Sequence, residues 1–148
     1  MKVFFDTSVL VAAFWGDHPD HESSLNAFRA SSRASAACGV HSLAEIYATM
    51  TALPVRPSLA PEQVVLFVEQ TAQRLTTVAL DEADYLTTIR ELADGQLSSG
   101  RVYDALLLAC ARKFRAKVIY TLDLKHFRRL APDLADFIRT PSEPKAAS

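Results

Sequence analysis

The sequence predicts an α/β protein: a mainly parallel sheet with helices on both faces, in a single domain. Three observations carry that expectation. Short apolar or β-branched runs alternate with segments of helical period along the chain, the pattern of strand–helix–strand units. The first run, Val3-Phe4-Phe5, is apolar without interruption, as expected of a strand buried on both faces. No repeat, low-complexity block or linker divides the 148 residues, a length usual for one domain with its own core.

The elements follow in order. After the strand Val3–Phe5, Thr7 to Phe14 turns into a helix, and Pro19 to Ala30 reads as a second, with Leu25 and Phe28 facing inward. Ala36 to Val40 is a weak strand. Ser42 is expected as an N-cap, with Glu45 three residues on completing a capping box. Leu43, Ile46, Tyr47 and Met50 then form the apolar stripe of that helix. Pro54 and Pro57 end it, and Pro61 opens the next, with Val64, Val65, Phe67 and Val68 as its buried side. Leu75 to Leu80 is a strand. Asp81 to Ala93 is a helix that Gly95 stops, and Asp81, with Asp84 behind it, reads simply as a helix start. Gly100 to Phe114 is apolar nearly all round, so a central helix is expected there. Lys117 to Thr121 is a strand, Asp123 to Leu130 a short helix, and Phe137-Ile138 a last strand. The domain is expected to span 1–140, with 141–148 as a flexible tail.

Composition narrows the class. Hydrophobic residues at 49% and charged residues at 22% suit a globular protein and exclude a disordered one. A net charge of −1 announces no polyanionic partner, although a local basic patch can still attract one. Cys38 and Cys110 lie far apart in apolar runs and are read as reduced core thiols. Asp6 interrupts the apolar start, no cleavage site follows, and no run approaches the ~18 residues of a membrane span. A cytoplasmic protein without a membrane partner is expected.

Four acids stand out. In an open parallel sheet, ligands gather beyond the carboxyl ends of the strands. Asp6 directly follows the first strand and Asp123 follows Val118–Thr121 after one residue, so both fall on one rim. Helix capping is the plain alternative for each, although Thr7 and Ser8 could cap as well as Asp6. Asp104 is the only acid in the run Val102 to Cys110, in the first turn of an apolar helix. A partly buried carboxylate there needs a cation, supplied by a neighbour such as Arg101 or by a metal shared with other acids. Glu45 lies about 140° from the apolar stripe of its helix at 100° per residue, so it points to solvent or to a cleft. Together the four could form an all-oxygen site of the kind Mg²⁺ prefers, with waters left for a phosphate. The histidines do not compete. His18 and His21 read as surface residues of a Pro-containing loop, and His41 and His126 as single histidines.

At this point the residues resemble a known family. Phe-Asp-Thr-Ser (5–8), Ser-Leu-Ala-Glu (42–45), Tyr-Asp-Ala-Leu-Leu-Leu-Ala-Cys-Ala (103–111) and Tyr-Thr-Leu-Asp (120–123), with Phe127 behind, occur in the order of the PIN-domain nucleases. Among these the chain is most similar to the small stand-alone VapC-type toxins of toxin–antitoxin pairs, over almost its whole length. The resemblance implies a three-layer α/β/α sandwich and Mg²⁺- or Mn²⁺-dependent endoribonuclease activity. It also implies a homodimer inhibited by an antitoxin whose tail covers the active site. By position it assigns Asp6, Glu45, Asp104 and Asp123 to the acidic metal ligands and Thr7 and Thr121 to supporting hydroxyls.

Phosphodiester hydrolysis fits that inventory, since divalent ions activate water and neutralise the phosphate. Asp6, Asp104 and Asp123 are expected as the core ligands, some through water, with Glu45 as an outer or second-metal ligand. Eight of the 16 Lys and Arg lie between 101 and 129. Of these, Arg101, Lys125, Arg128 and Arg129 are the candidate RNA contacts, while Arg112 to Arg115 read as a solvated helix end. Phe14 and Trp15 are read as packing or dimer-contact residues, with base stacking as the alternative. The rival readings are a haloacid-dehalogenase-type or other metal-dependent phosphatase, a receiver-type domain, and an inactive PIN-like RNA-binding or scaffold module. Position 8 is Ser where the first rival wants Asp.

Overall fold

A computed structural model describes residues 1–142. Its strands are β1 (Val3–Phe5), β2 (Ala36–Gly39), β3 (Thr76–Val78), β4 (Val118–Tyr120) and β5 (Ile138–Arg139). They form one sheet in the order β3-β2-β1-β4-β5, every neighbouring pair parallel. The helices are α1 (Thr7–Phe14), α2 (His21–Arg29), α3 (Val40–Thr51), α4 (Pro61–Arg74), α5 (Glu82–Asp94), α6 (Arg101–Phe114) and α7 (Leu124–Leu130). A 3₁₀ segment, Pro132–Phe137, leads into β5.

Strand alternation divides the core into two layers of side chains. Phe4, Ala37 and Ile119 pack with Leu107, Leu108 and Cys110 of α6 and Phe127 of α7. Phe5, Ala36 and Cys38 pack on the opposite face with Leu10 of α1, Phe28 of α2, Ile46 of α3 and Val64 of α4. The result is the expected three-layer sandwich. The small residues of β2 have a packing reason. A Cβ on Gly39 would meet Leu107 Cδ2 at 2.8 Å, so α6 can lie this close only over small side chains. Cys38 and Cys110 are both buried and unpaired, as expected. Among the described residues no helix is long and apolar enough to cross a membrane.

The sheet has one topological switch point. From β1 the chain moves outward on one side through β2 and β3, and later returns to the other side with β4 and β5. The register Phe5↔Tyr120 aligns the ends of β1 and β4, so the residues that follow them open onto the same crevice.

Four expectations need correction. Helix α3 begins at Val40 with Gly39 as its N-cap, so Ser42 lies inside the first turn and caps nothing. Its buried positions are Ser42, Ile46 and Met50, one stripe rotated from the expected one, and Tyr47 is exposed. On α4 the buried positions are Val64 and Thr71, and Val65 faces solvent. The α6 helix buries one broad face, while Tyr103 is exposed. The fourth concerns the paired histidines. His18 is half-buried, and His21 opens α2 and holds Ala12 O of α1 through Nδ1 at 2.8 Å. Of the expected tail, Pro141 and Ser142 form a turn, and 143–148 lies outside the described residues.

Candidate metal centre

Asp6, Glu45, Asp104 and Asp123 line one cavity of about 510 Å³ at the switch point. They arrive on four separate elements: the end of β1, the second turn of α3, the first turn of α6 and the residue before α7.

Asp6 is the best held. It occupies the N-cap position of α1, yet its carboxylate makes no capping bond. Instead Oδ2 accepts Ser8 Oγ at 2.6 Å and Thr121 Oγ1 at 2.8 Å. Each hydroxyl also accepts a backbone N–H from the loop after β4: Ser8 from Leu122 at 3.1 Å, and Thr121 from Asp123 at 3.1 Å. Two neighbouring strand ends are thereby stitched together through one carboxylate. The local sequence explains it. Thr121 directly follows β4 and Ser8 is the second residue of α1, so both reach Asp6 without cost to the helix.

Thr7 and Ser42 make the corresponding link to α3. Thr7 Oγ1 shares its proton between Ser42 Oγ at 2.8 Å and Glu45 Oε1 at 3.0 Å. This is the physical reason Ser42 is buried and does not cap. Glu45, half-buried, is turned into the cleft and not into bulk water.

Asp123 also stands before a helix without a capping bond. Both its oxygens accept from His126 Nδ1, at 2.9 and 2.8 Å. Arg101 Nη2 lies 2.6 Å from His126 Nε2. A guanidinium can only donate, so Nε2 carries the lone pair and Nδ1 the proton. Arg101 thus fixes the tautomer of the imidazole that orients Asp123, the usual arrangement of groups behind a metal ligand. Nothing in the sequence pattern singled out His126. The spacing Asp123–His126, i to i+3 on one helical turn, is the signal that could have found it.

Electrostatics single out the same site. The Asp6 carboxyl is raised to about 6, by burial first, against the hydrogen bonds from Ser8 and Thr121, with the charges of Asp104 and Glu45 adding to the rise. Asp104 is raised by burial first, then by Asp123, against Arg101, with Glu45 adding to the rise. Arg101 is nevertheless not its salt-bridge partner. Among the described residues Asp104 makes no hydrogen bond and no ion pair within 4 Å.

Four carboxylates therefore meet, with Arg101 acting on Asp104 through space and His126 bonded to Asp123, and oxygen is the donor that hard divalent ions take. The chemistry of the set fits such an ion. Among the described residues, however, no three His, Cys, Asp or Glu groups are already closed into a cage for one. An open set of this kind suits an ion that keeps several of its waters.

The basic candidates divide. Arg101 is committed to His126, and Arg128 donates Nη2 to Ile138 O at 2.8 Å, tying α7 to β5. Lys125 and Arg129 are exposed on α7. Arg112 is not simply solvated: it forms a two-bond pair with Asp133, and Lys113 reaches Ala79 O and Asp84.

Comparison with known proteins places the chain. The sequence matches the PIN domain family over residues 3–132. It is 33% identical over 124 residues to Ribonuclease VapC40 of Mycobacterium tuberculosis, covering 81% of this chain and 85% of that protein. With Ribonuclease VapC27 of the same organism it shares 30% over 113 residues, 76% and 79% of the two chains. The fold is similar to the crystal structure of M. tuberculosis VapC20, a sarcin–ricin-loop-cleaving toxin, with a TM-score of 0.69 at 15% identity, over 84% of this chain and 92% of that one. A family match over most of the chain, relatives at a third identity and a common fold lead to one conclusion: this chain belongs to the PIN-domain family.

Proposed function

We propose that this protein is a Mg²⁺- or Mn²⁺-dependent endoribonuclease and the toxin of a toxin–antitoxin pair. The carrying observation is the convergence of Asp6, Glu45, Asp104 and Asp123, from four elements, on one cleft where burial and mutual repulsion raise Asp6 and Asp104. The names of the similar ribonucleases support the reaction class.

Asp6, Asp104 and Asp123 would hold the ion, some through water, with Glu45 as an outer or second ligand. When bound, the ion supplies an activated water and neutralises charge on the scissile phosphate. The chain's own part is orientation. Ser8 and Thr121 fix Asp6, Thr7 holds Glu45, and His126 with Arg101 behind it holds Asp123. Lys125 and Arg129 lie on the surface of the helix that follows Asp123, where they can meet RNA phosphates. Arg101 acts on the substrate through His126 and Asp123, and Arg128 has a structural bond to β5.

Protein partners have a surface of their own. Val40, Tyr85, Leu86, Ile89 and Tyr103 are exposed apolar side chains at the start of α3, along α5 and at the start of α6. Exposed apolar residues in this number suit a homodimer contact. The antitoxin is assigned to the acidic cleft, where its tail would compete with RNA.

The test is cleavage of RNA by the purified protein with Mg²⁺ or Mn²⁺, with and without excess EDTA. Metal-dependent production of defined RNA ends supports the reading. Binding without cleavage under every metal condition would replace it with an inactive RNA-binding module.

A further inference from the structure

We infer that Trp15 and His18 form a subsite for an unstacked nucleobase beside the phosphate held at the four carboxylates. The inference deepens the nuclease reading and rests on it for the phosphate. Its own support comes from the other residues that line the same cavity. Val11, Trp15, His18, Thr49 and Leu53 line that cavity together with the acids. At about 510 Å³ the space falls within the roughly 300–1,000 Å³ of small-ligand pockets. An ion and its waters need far less.

The two rings are placed by a short turn at the end of α1. Trp15 is the C-cap residue, its N–H bound to Val11 O at 2.9 Å, and its own carbonyl accepts His18 N–H at 3.0 Å. This sets the rings edge to face, 5.5 Å apart at 76°. The neighbouring Phe14 turns the other way and is absorbed by the core, stacked on Phe67 at 4.8 Å and edge-on to Phe28 at 5.3 Å. Both adjacent aromatics pack on the core, and of the two Trp15 also lines the cleft.

Both rings carry an N–H for which the protein supplies no acceptor. Trp15 Nε1 is shut off from solvent and has no hydrogen-bond partner. Buried donors are seldom left so, because an unmet one costs about 1–3 kcal/mol. On His18 the Nδ1 lone pair accepts Asp20 N–H at 3.0 Å, which puts the proton of the neutral ring on Nε2. Among the described residues that Nε2–H has no acceptor. Two ring N–H groups and flat apolar faces, next to a phosphate site, call for a planar ligand with acceptors on its edge. A nucleobase has carbonyl and ring-nitrogen acceptors there, and a face that stacks on aromatic rings.

Trp15 is the single tryptophan, so its fluorescence reports on the subsite directly. The experiment titrates the protein in Mg²⁺ with the four ribonucleoside monophosphates, which hold no phosphodiester bond to cleave, with ribose 5-phosphate as control. Nucleotides are expected to quench the emission, with unequal affinity among the bases, and ribose 5-phosphate to leave it unchanged. With Mg²⁺ and single-stranded oligoribonucleotides, Trp15→Ala is expected to raise KM about tenfold or more with kcat within a few-fold, since base stacking carries roughly 5- to 150-fold in affinity. Trp15→Phe and His18→Phe keep a flat ring and remove the N–H. They are expected to fold as wild type by circular dichroism and to change which base is preferred at the cleavage position. Equal quenching by ribose 5-phosphate, or unchanged KM and base preference in all three variants, overturns the subsite and leaves the nuclease reading standing. Quenching by nucleotides from a protein that cleaves no RNA overturns the nuclease reading and keeps the subsite. Quenching by a basic apolar peptide but by no nucleotide assigns these residues to a protein partner and overturns the subsite.

Discussion

Three aspartates occupy the same formal position in this fold, between the end of a strand and the start of a helix, and they do different work. Asp81 precedes α5 and makes a full capping box: its carboxylate accepts Asp84 N–H at 2.8 Å, and Asp84 returns the bond to Asp81 N–H at 2.9 Å. Asp6 and Asp123 precede α1 and α7 and cap neither helix. Asp81 follows β3 at the sheet's edge, whereas the other two flank the switch point between β1 and β4. Position in the sheet, not position in the local sequence, decides whether an acid ends in a turn or in a cleft. Hydroxyls enforce the difference, because Ser8 and Thr121 take Asp6 Oδ2 before any helix N–H can.

The comparison is broken or kept most decisively by activity. Asp6→Asn is expected to reduce RNA cleavage by about 10³-fold or more, as loss of a ligand to the activating ion should. Initial rates in saturating Mg²⁺ measure this, with circular dichroism checking the fold. Cleavage within tenfold of wild type would remove Asp6 from the ligand set.

The same carboxylate sets a pH dependence without metal. Its folded pKa of about 6 lies above the ordinary 3.8, so the folded chain binds this proton more tightly than the unfolded one. Below about pH 4 both states are protonated and Asp6 carries no penalty. As pH rises through about 6 the penalty grows to the order of 3 kcal/mol. Metal-free Asp6→Asn is therefore expected to match wild type near pH 4 and to exceed it by that order at pH 8. Urea melts in EDTA at the two pH values check the sign. Added Mg²⁺ is expected to raise the wild-type melting temperature and to leave that of Asp6→Asn unchanged.

A smaller effect is expected from His126→Ala. The Asp123 carboxylate survives, but its orienting proton donor and the bond to Arg101 are lost. Removing such a partner behind a ligand typically weakens metal affinity by roughly 10–100-fold. The Mg²⁺ concentration that gives half-maximal cleavage should rise by that factor, with the maximal rate falling less. A fall in maximal rate at unchanged Mg²⁺ dependence would mean that His126 acts on the substrate and not on Asp123.

How much of this was legible depends on range. The sheet, its parallel sense and the four acids could be read from the chain, because apolar period and a lone acid in an apolar helix are local signals. Ser42 was misread for the opposite reason. Its sequence context, Ser followed three residues later by Glu45, is a good capping box, and the partner that cancels it is Thr7, 35 residues away. Tyr47 was misplaced with it, since the stripe of α3 turned to bring Ser42 and Glu45 toward α1. His126 went unnoticed because its meaning comes from Arg101 on another helix. Trp15 is ambiguous beside Phe14 because both pack on the core, and the lining of the cleft is what separates them.

The smallest effect tests the other side of the comparison. If Asp81 is only a cap, its loss should be felt as stability and nowhere else. Asp81→Ala removes the acceptor for Asp84 N–H, and the exposed box offers no further anchor to lose. Caps of this type contribute about 1 kcal/mol. The variant should unfold at slightly lower urea, by an amount that corresponds to about that value, while its cleavage rate and Mg²⁺ dependence stay those of wild type. Asp84 also receives Lys113 Nζ at 3.3 Å, so the start of α5 stays tethered to α6 when the cap is gone. A loss of cleavage in Asp81→Ala comparable to that in Asp6→Asn would mean that the sheet's edge and its switch point are coupled, and that strand position alone does not sort these acids.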